Sequence, residues 1–320
     1  GKLMLKQKNI GMIGALAAAI ALSACQPQKA EPQPEAKPAK TEAPEQRLKL
    51  AGDTEKLSLK MPDCDGNSCP EISIERLSSN QSFIDSYIDQ EILKQLSLIL
   101  SVEPEQEQAQ TAASEAAAAS EAKSKLAAVE TPKLKLEKQA EPYMQAFIRL
   151  DKELKALSSA QQISLMIKPK ILNADLPLAT VVLNSSNYLG GAHGASAQQY
   201  FNFDLQHKKL MQLEDIIAPQ QKAALERKAH EAFKAWVMEA KLADSVEEYE
   251  QAWKFKLSEN YYLGKDGLIL QYAEYEIGPY VVGLPRLTIA YDQLQGILKP
   301  QYFPAGAEAP ASEAKAKAAS

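Results

Sequence analysis

The groups in this 320-residue chain that could do chemistry are few: three cysteines, three histidines and a set of scattered carboxylates. Cys25 closes the run Leu22-Ser23-Ala24-Cys25, which resembles a bacterial lipobox. In such a motif the small residues admit a signal peptidase, and the thiol takes diacylglycerol as part of a palmitate-type lipid anchor. Cys64 and Cys69 flank Asp65-Gly66-Asn67-Ser68, a turn sequence, and their spacing suits a local disulfide that pins a loop. It does not match the Cys-x-x-Cys of a redox pair. His193 lies in Tyr188-Leu189-Gly190-Gly191-Ala192-His193-Gly194. On paper it could join Ser196 and Asp204 as a nucleophilic triad, but nothing in the spacing resembles a nucleophile elbow. The plainer reading is a turn between two strands in which glycines take positive φ and the imidazole caps a backbone group. His207 and His230 belong to other patterns, so no metal ligand set and no cofactor site is expected.

Elements must hold these groups in place. Lys2, Lys6 and Lys8 precede the apolar run Ile10–Leu22, too short to span a bilayer but suited to a secretory signal, so residues 1–24 are expected to be removed. Gln26 stands where an Asp would favour inner-membrane retention, and its presence favours an outer-membrane address. From Gln26 to Arg47 the chain is Pro-rich with no large apolar residue, so 25–50 reads as a lipidated tether. Residues 103–130 are an Ala/Glu-rich insert without a repeating apolar face, and 304–320 is a tail of similar composition.

Between these lie folded patterns. Ile84, Ile88, Ile92, Leu96 and Ile99 share one helical face, as do Tyr143, Phe147, Leu150, Leu154 and Leu157. Strands follow at Ile163-Leu165-Ile167, at Leu178–Leu183 and at Phe201-Phe203-Leu205. A long helix turns Leu225, Ala229, Phe233, Trp236, Val237 and Ala240 inward, and Ser245 with Glu248 reads as a capping box. Strands return at Leu268-Leu270-Tyr272 and Leu287-Ile289-Tyr291. The expected fold class is α+β, a largely antiparallel sheet packed with amphipathic helices. Two subdomains are expected, with the boundary between Ile171 and Leu213 and drawn at 51–175 and 176–303.

Three segments carry a family resemblance. They are Tyr188–Gly194 with Asn202-Phe203-Asp204-Leu205 and Leu213-Glu214-Asp215-Ile216, then Asp266-Gly267-Leu268 leading to Tyr275-Glu276-Ile277-Gly278-Pro279-Tyr280, then Gly283-Leu284-Pro285 into Leu287–Tyr291. In this order they resemble the RsiV-type C-terminal domain, domain of unknown function 3298. The stretch from Pro70 to Leu157 resembles, more loosely, its companion domain 4163. The resemblance implies binding rather than chemistry, since relatives include an anti-sigma factor that binds lysozyme and lipoproteins that stand alone. It implies a non-enzymatic, lipid-anchored envelope protein whose partner is lysozyme or a cell-wall ligand such as peptidoglycan. The candidate contact residues are Gly191, His193, Glu276, Pro279 and Tyr280.

Two other functions compete with this one. A peptidoglycan hydrolase or deacetylase would need a carboxylate pair or a metal cluster in a cleft, which the spacing does not show. A structural lipoprotein would only hold other envelope proteins together. The formal net charge of −5 argues against a nucleic-acid partner. Trp236 and Trp253 could be pictured as a sugar platform, although the helical position of Trp236 fits a core residue better.

Overall fold

The structure, a computed structural model, describes residues 48–102 and 129–306. The expectations for the signal segment, Cys25, most of the tether, most of the Ala/Glu-rich insert and the tail beyond residue 306 lie outside those residues.

The first part of the chain builds one sheet and two helices. Strands β1 (Gly52–Lys56) and β2 (Glu71–Ser79) pair antiparallel, and neither has a counterpart in the elements read from sequence. Helix α1 (Ser82–Leu100) buries Ile84, Ile88, Ile92 and Leu96. Helix α2 (Pro132–Ala156) begins where the Thr131 hydroxyl accepts the Leu134 N–H at 3.2 Å, with Pro132 at a position that needs no N–H. Strands β3 (Ser164–Asn173), β4 (Ala179–Tyr188), β5 (Ala195–Asp204) and β6 (Lys209–Leu210) complete a sheet in the order β1-β2-β3-β4-β5-β6. Only β2 and β3 run parallel. A parallel pair requires a long crossover, and α1 and α2 lie on that connection. Leu165, Ile167, Val181, Leu183, Phe201 and Phe203 share a core with the inner faces of α1 and α2.

The rest of the chain surrounds a second core. It comprises α3 (Leu213–Ile216), α4 (Lys222–Glu239), α5 (Val246–Ala252) and a three-stranded antiparallel sheet in the order β7 (Tyr261–Leu263), β8 (Gly267–Gln271), β9 (Arg286–Ala290). Leu225, Ala229, Phe233 and Val237 of α4 pack against Leu268, Leu270, Leu287 and Ile289. The fold is α+β, as the patterns implied.

Several boundaries differ from the sequence reading. The first sheet runs through β4 and β5 to Leu210, so a division at 175/176 cuts a continuous hydrogen-bonded ladder. The packing changes hands near Leu205–Met211 instead. The fold also begins earlier than residue 51: Leu50 is 2% exposed and its N–H donates to the Ala174 carbonyl at 2.7 Å. Leu157 and Ala240, read as inward, are exposed, because each is the C-cap where its helix ends. Ser245 does accept the Glu248 N–H at 3.1 Å, as one half of a capping box.

Cys64 and Cys69 are joined as a disulfide in the β1–β2 connection. The Gln162 side chain donates to the Cys69 carbonyl at 2.8 Å and ties that loop to the start of β3. Inside the first core, Arg76 of β2 is 3% exposed and meets both oxygens of Asp89 on α1, while Glu55 on β1 takes its Nη1 at 2.9 Å. These hydrogen bonds outweigh the desolvation of the guanidinium and raise its pKa further.

Candidate functional site

The two loops singled out by sequence meet in space. The first is the β4–β5 turn. Gly190 has φ +83°, the left-handed conformation that suits glycine, with Leu154 packed beside it. A Cβ on Gly194 would stand 2.8 Å from the Asn187 carbonyl oxygen, so the closing strands leave no room for a side chain. Gly191 is not constrained in either way, and its carbonyl accepts the Tyr188 hydroxyl at 2.8 Å. Positive φ was expected of the turn glycines generally; among these three, only Gly190 has it.

The second loop joins β8 to β9. Glu276 accepts the Ala273 N–H at 2.8 Å and lies 3.7 Å from the Lys256 ammonium, so it shapes the loop's own turn. Ile277 is buried and its carbonyl accepts the Tyr249 hydroxyl at 2.7 Å. A Cβ on Gly278 would fall 2.6 Å from the Tyr249 oxygen and close to Trp236, so this loop lies directly on the second core. Pro279 then leads into a single 3-10 turn, Tyr280–Val282, which exposes Val281 to 87%.

Tyr280 joins the two loops. Its hydroxyl donates to the Gly194 carbonyl at 2.9 Å, and the His193 ring stacks on its ring at 3.6 Å and 15°. The Tyr275 hydroxyl is 3.3 Å from His193 Nε2, and the Tyr275 and Tyr280 rings are 5.8 Å apart. Tyr275 is 53% exposed and has φ +63°, a conformation that costs a bulky residue energy and that clusters at functional sites. The expectation that His193 caps a backbone group needs correcting, because Tyr280 takes that role and His193 stacks on it. Of the expected contact residues, His193 and Tyr280 are brought together, Pro279 sets up the turn that presents Tyr280, and Gly191 and Glu276 serve loop geometry. Tyr275 completes the exposed aromatic ridge. Its strain is invisible in sequence.

That loop, through Glu274, and the residue before β7, Asn260, grip the free edge of β5 further along. Ser196 N–H donates to Glu274 Oε1 at 2.9 Å. The Asn260 side chain donates to the Gln198 carbonyl at 2.7 Å and accepts the Tyr200 N–H at 2.8 Å. The Met211 N–H then reaches the Asn202 carbonyl at 2.7 Å. Alternate residues of an unpaired strand edge are thus satisfied one by one.

The groups of the paper triad are not brought together. Ser196 and Asp204 sit near opposite ends of β5, some 26 Å apart at strand spacing. Asp204 pairs instead with His207 at 2.7 Å. Burial raises the Asp204 pKa, but the side-chain and backbone hydrogen bonds from His207 outweigh it and hold the carboxyl below its ordinary value. His230 pairs with Glu250 and stacks on Phe255, away from both. Among the described residues, no group of three His, Cys, Asp or Glu is arranged to hold a metal ion, and no helix is long and apolar enough to cross a membrane. Trp236 packs edge-on against Tyr249 as part of the floor under the loop rather than as an open platform.

Comparison with known proteins locates the domain. Residues 214–292 match a family model described as a protein of unknown function, DUF3298, which includes the Tyr275–Tyr280 loop and stops short of the His193 turn on its N-terminal side. No curated protein matches the chain. A solved DUF3298 family protein from Pseudomonas aeruginosa PAO1 is 24% identical over 80% of this chain and 95% of its own, with a TM-score of 0.52. A member of the same family from Bacteroides fragilis NCTC 9343 is 19% identical over 79% of this chain and 93% of its own, with a TM-score of 0.52. Over residues 214–292 the chain is similar to the DUF3298 model, and it shares the fold of solved members of that family.

Proposed function

We propose that this is a non-enzymatic binding protein of the bacterial envelope, tethered to the outer membrane by lipid on Cys25, whose partner is lysozyme or a cell-wall-associated ligand. The observation that carries the reading is the ridge formed where the two loops meet: exposed Tyr275 and Val281 around the His193–Tyr280 stack. Aromatic side chains fixed on a rigid loop offer contact area with little entropy left to lose, the usual character of an interface anchor. The formal net charge of −5 favours a basic partner such as lysozyme.

Lysozyme passed over the immobilised protein at micromolar concentration and moderate salt tests this directly. Saturable binding is expected, and its absence removes the lysozyme version. Tyr280→Ala should weaken binding by roughly tenfold or more, the effect of an anchor residue, while leaving the far-UV circular dichroism unchanged. An unaltered affinity would move the contact surface elsewhere.

A further inference from the structure

We propose that the outer edge of β9 pairs with the same edge of a second copy of this chain, joining two three-stranded sheets into one. The hydrogen bonds at the two ends of β9 fix which way its backbone points. The Tyr272 N–H donates to the Pro285 carbonyl at 2.9 Å, and the Tyr291 N–H donates to the Asp266 carbonyl at 3.3 Å. Leu287 and Ile289 are in phase with these pairs and turn their backbone groups toward β8. Arg286, Thr288 and Ala290 turn theirs outward. Among the described residues, no strand pairs with that side and no hydrogen bond reaches those N–H and C=O groups. Other strand edges are answered from within the fold. Asp53 Oδ1 takes the Thr54 N–H of β1 at 2.8 Å, and the Asn202 amide reaches the Tyr261 carbonyl of β7 at 2.8 Å. Side chains of the second half fill the edge of β5. β9 has no such cover, and it carries no proline, bulge or inward charge of the kind that keeps edges apart.

The edge is complementary to itself. An antiparallel partner centred on Thr288 sets Thr288 against Thr288 and Arg286 against Ala290, and each such pair exchanges two N–H···O=C bonds. Every outward group of the strand is then used. Leu287, packed against α4 on the other face, comes opposite Ile289 of the second copy, so the apolar face continues across the seam. Charges do not oppose this pairing. The two Arg286 residues end up ~14 Å apart along the strands, and the nearest charge beyond Ala290 is Asp292, of opposite sign. The Arg286 side chain itself is drawn back over the sheet by Gln271 at 2.7 Å and Gln198 at 2.6 Å, which leaves the seam clear. An extended peptide of another protein would use the same backbone groups but gain nothing from the symmetry about Thr288. A seam five residues long is smaller than a standard interface, so the dimer is weak and depends on concentration.

Sedimentation equilibrium of the full chain in detergent, from micromolar to millimolar protein, tests this together with amide exchange. A monomer is expected at the low end and a dimer toward the high end, with exchange at Arg286–Ala290 slowing as the concentration rises and exchange in α1 unchanged. Thr288→Pro removes the central outward N–H without touching the ladder to β8 and should weaken dimerisation roughly tenfold or more. Ala290→Lys, which sets a like charge against Arg286, should weaken it severalfold, whereas Ala290→Asp should not weaken it. Ala290 is exposed, so this second pair of variants decides the matter even if Thr288→Pro fails to fold. A chain that stays monomeric at millimolar concentration, a dimer indifferent to both Thr288→Pro and Ala290→Lys, or an edge protected only by an added extended peptide would overturn the proposal.

Discussion

The two cores of this protein solve the same problem by different means. The first is assembled from regular elements, with Leu and Ile from α1, α2 and the six-stranded sheet, and its buried charges are held in place, Arg76 with Asp89, and Asp85 by the Ser79 N–H and hydroxyl. The second is assembled around loops. Tyr249, Tyr261, Tyr272 and Tyr291 are buried there, and their hydroxyls donate to the carbonyls of Ile277, Met211, Lys256 and Gly264, none of which lies in a helix or strand. A tyrosine brings apolar area and a polar tip together, so it can fill a core and fasten an irregular segment at once. The contact ridge sits above the second core, where loops are fastened rather than free.

Alkaline titration should break this comparison most visibly. Burial pushes the Tyr291 hydroxyl up to about 12, and burial also raises Tyr249, Tyr261 and Tyr272 above their ordinary value. A raised folded pKa means that the stabilisation is complete below the unfolded value near 10 and is lost as pH climbs through the folded value, at about 1.4 kcal/mol per pH unit for each group. The first core has Tyr87, also pushed up to about 12, chiefly by burial. Both tryptophans, Trp236 and Trp253, pack against the second core, so their fluorescence reports on it alone. Fluorescence should change at lower pH than the far-UV circular dichroism; coincident transitions would mean that the cores melt together.

The reciprocal test falls on the first core. Arg76→Ala leaves Asp89 buried without its partner and should cost about 3–5 kcal/mol in urea denaturation. Arg76→Met combined with Asp89→Leu should recover most of that loss, because both charges then leave the interior. A double variant as unstable as the single would show that the cluster does more than compensate itself.

A smaller effect is expected at the fastening of the contact loop. Tyr249→Phe leaves the Ile277 carbonyl without its donor and should cost about 1–3 kcal/mol. Amide exchange should rise at Ile277–Val282 more than in α1. Smallest is Asp204→Asn, at under about 1 kcal/mol, since His207 is largely exposed. Its contribution is present above the unfolded carboxyl pKa and disappears as pH falls through the depressed folded value, so wild type and variant should converge in acid.

The sequence reveals the regular parts of this molecule better than the fastened ones. Helical faces such as Ile84–Leu96 and Leu225–Val237 announce themselves by period, because burial on one side repeats every three or four residues. Leu157 and Ala240 break the rule only because a helix end removes the face they would extend. β2 has no clean period of two: Ile72 and Ile74 alternate, but buried Leu77 falls out of phase. The pairing of the turn with the β8–β9 loop was legible only as two motifs. That Tyr280 reaches Gly194 depends on residues 86 positions apart, which no local pattern records.

The side chains along β5 have a consequence for how the two halves depend on each other. Tyr280, Glu274 and Asn260 answer the backbone at Gly194, Ser196, Gln198 and Tyr200 with a repeat of two residues, so a slip of one residue would misplace every donor and acceptor together. The second half therefore works as a vernier that admits one register of the β4–β5 hairpin. It also works as a seal. A fragment ending at Leu210 would present that edge bare, a ready template for another copy of itself, and we expect it to associate rather than remain a monomer.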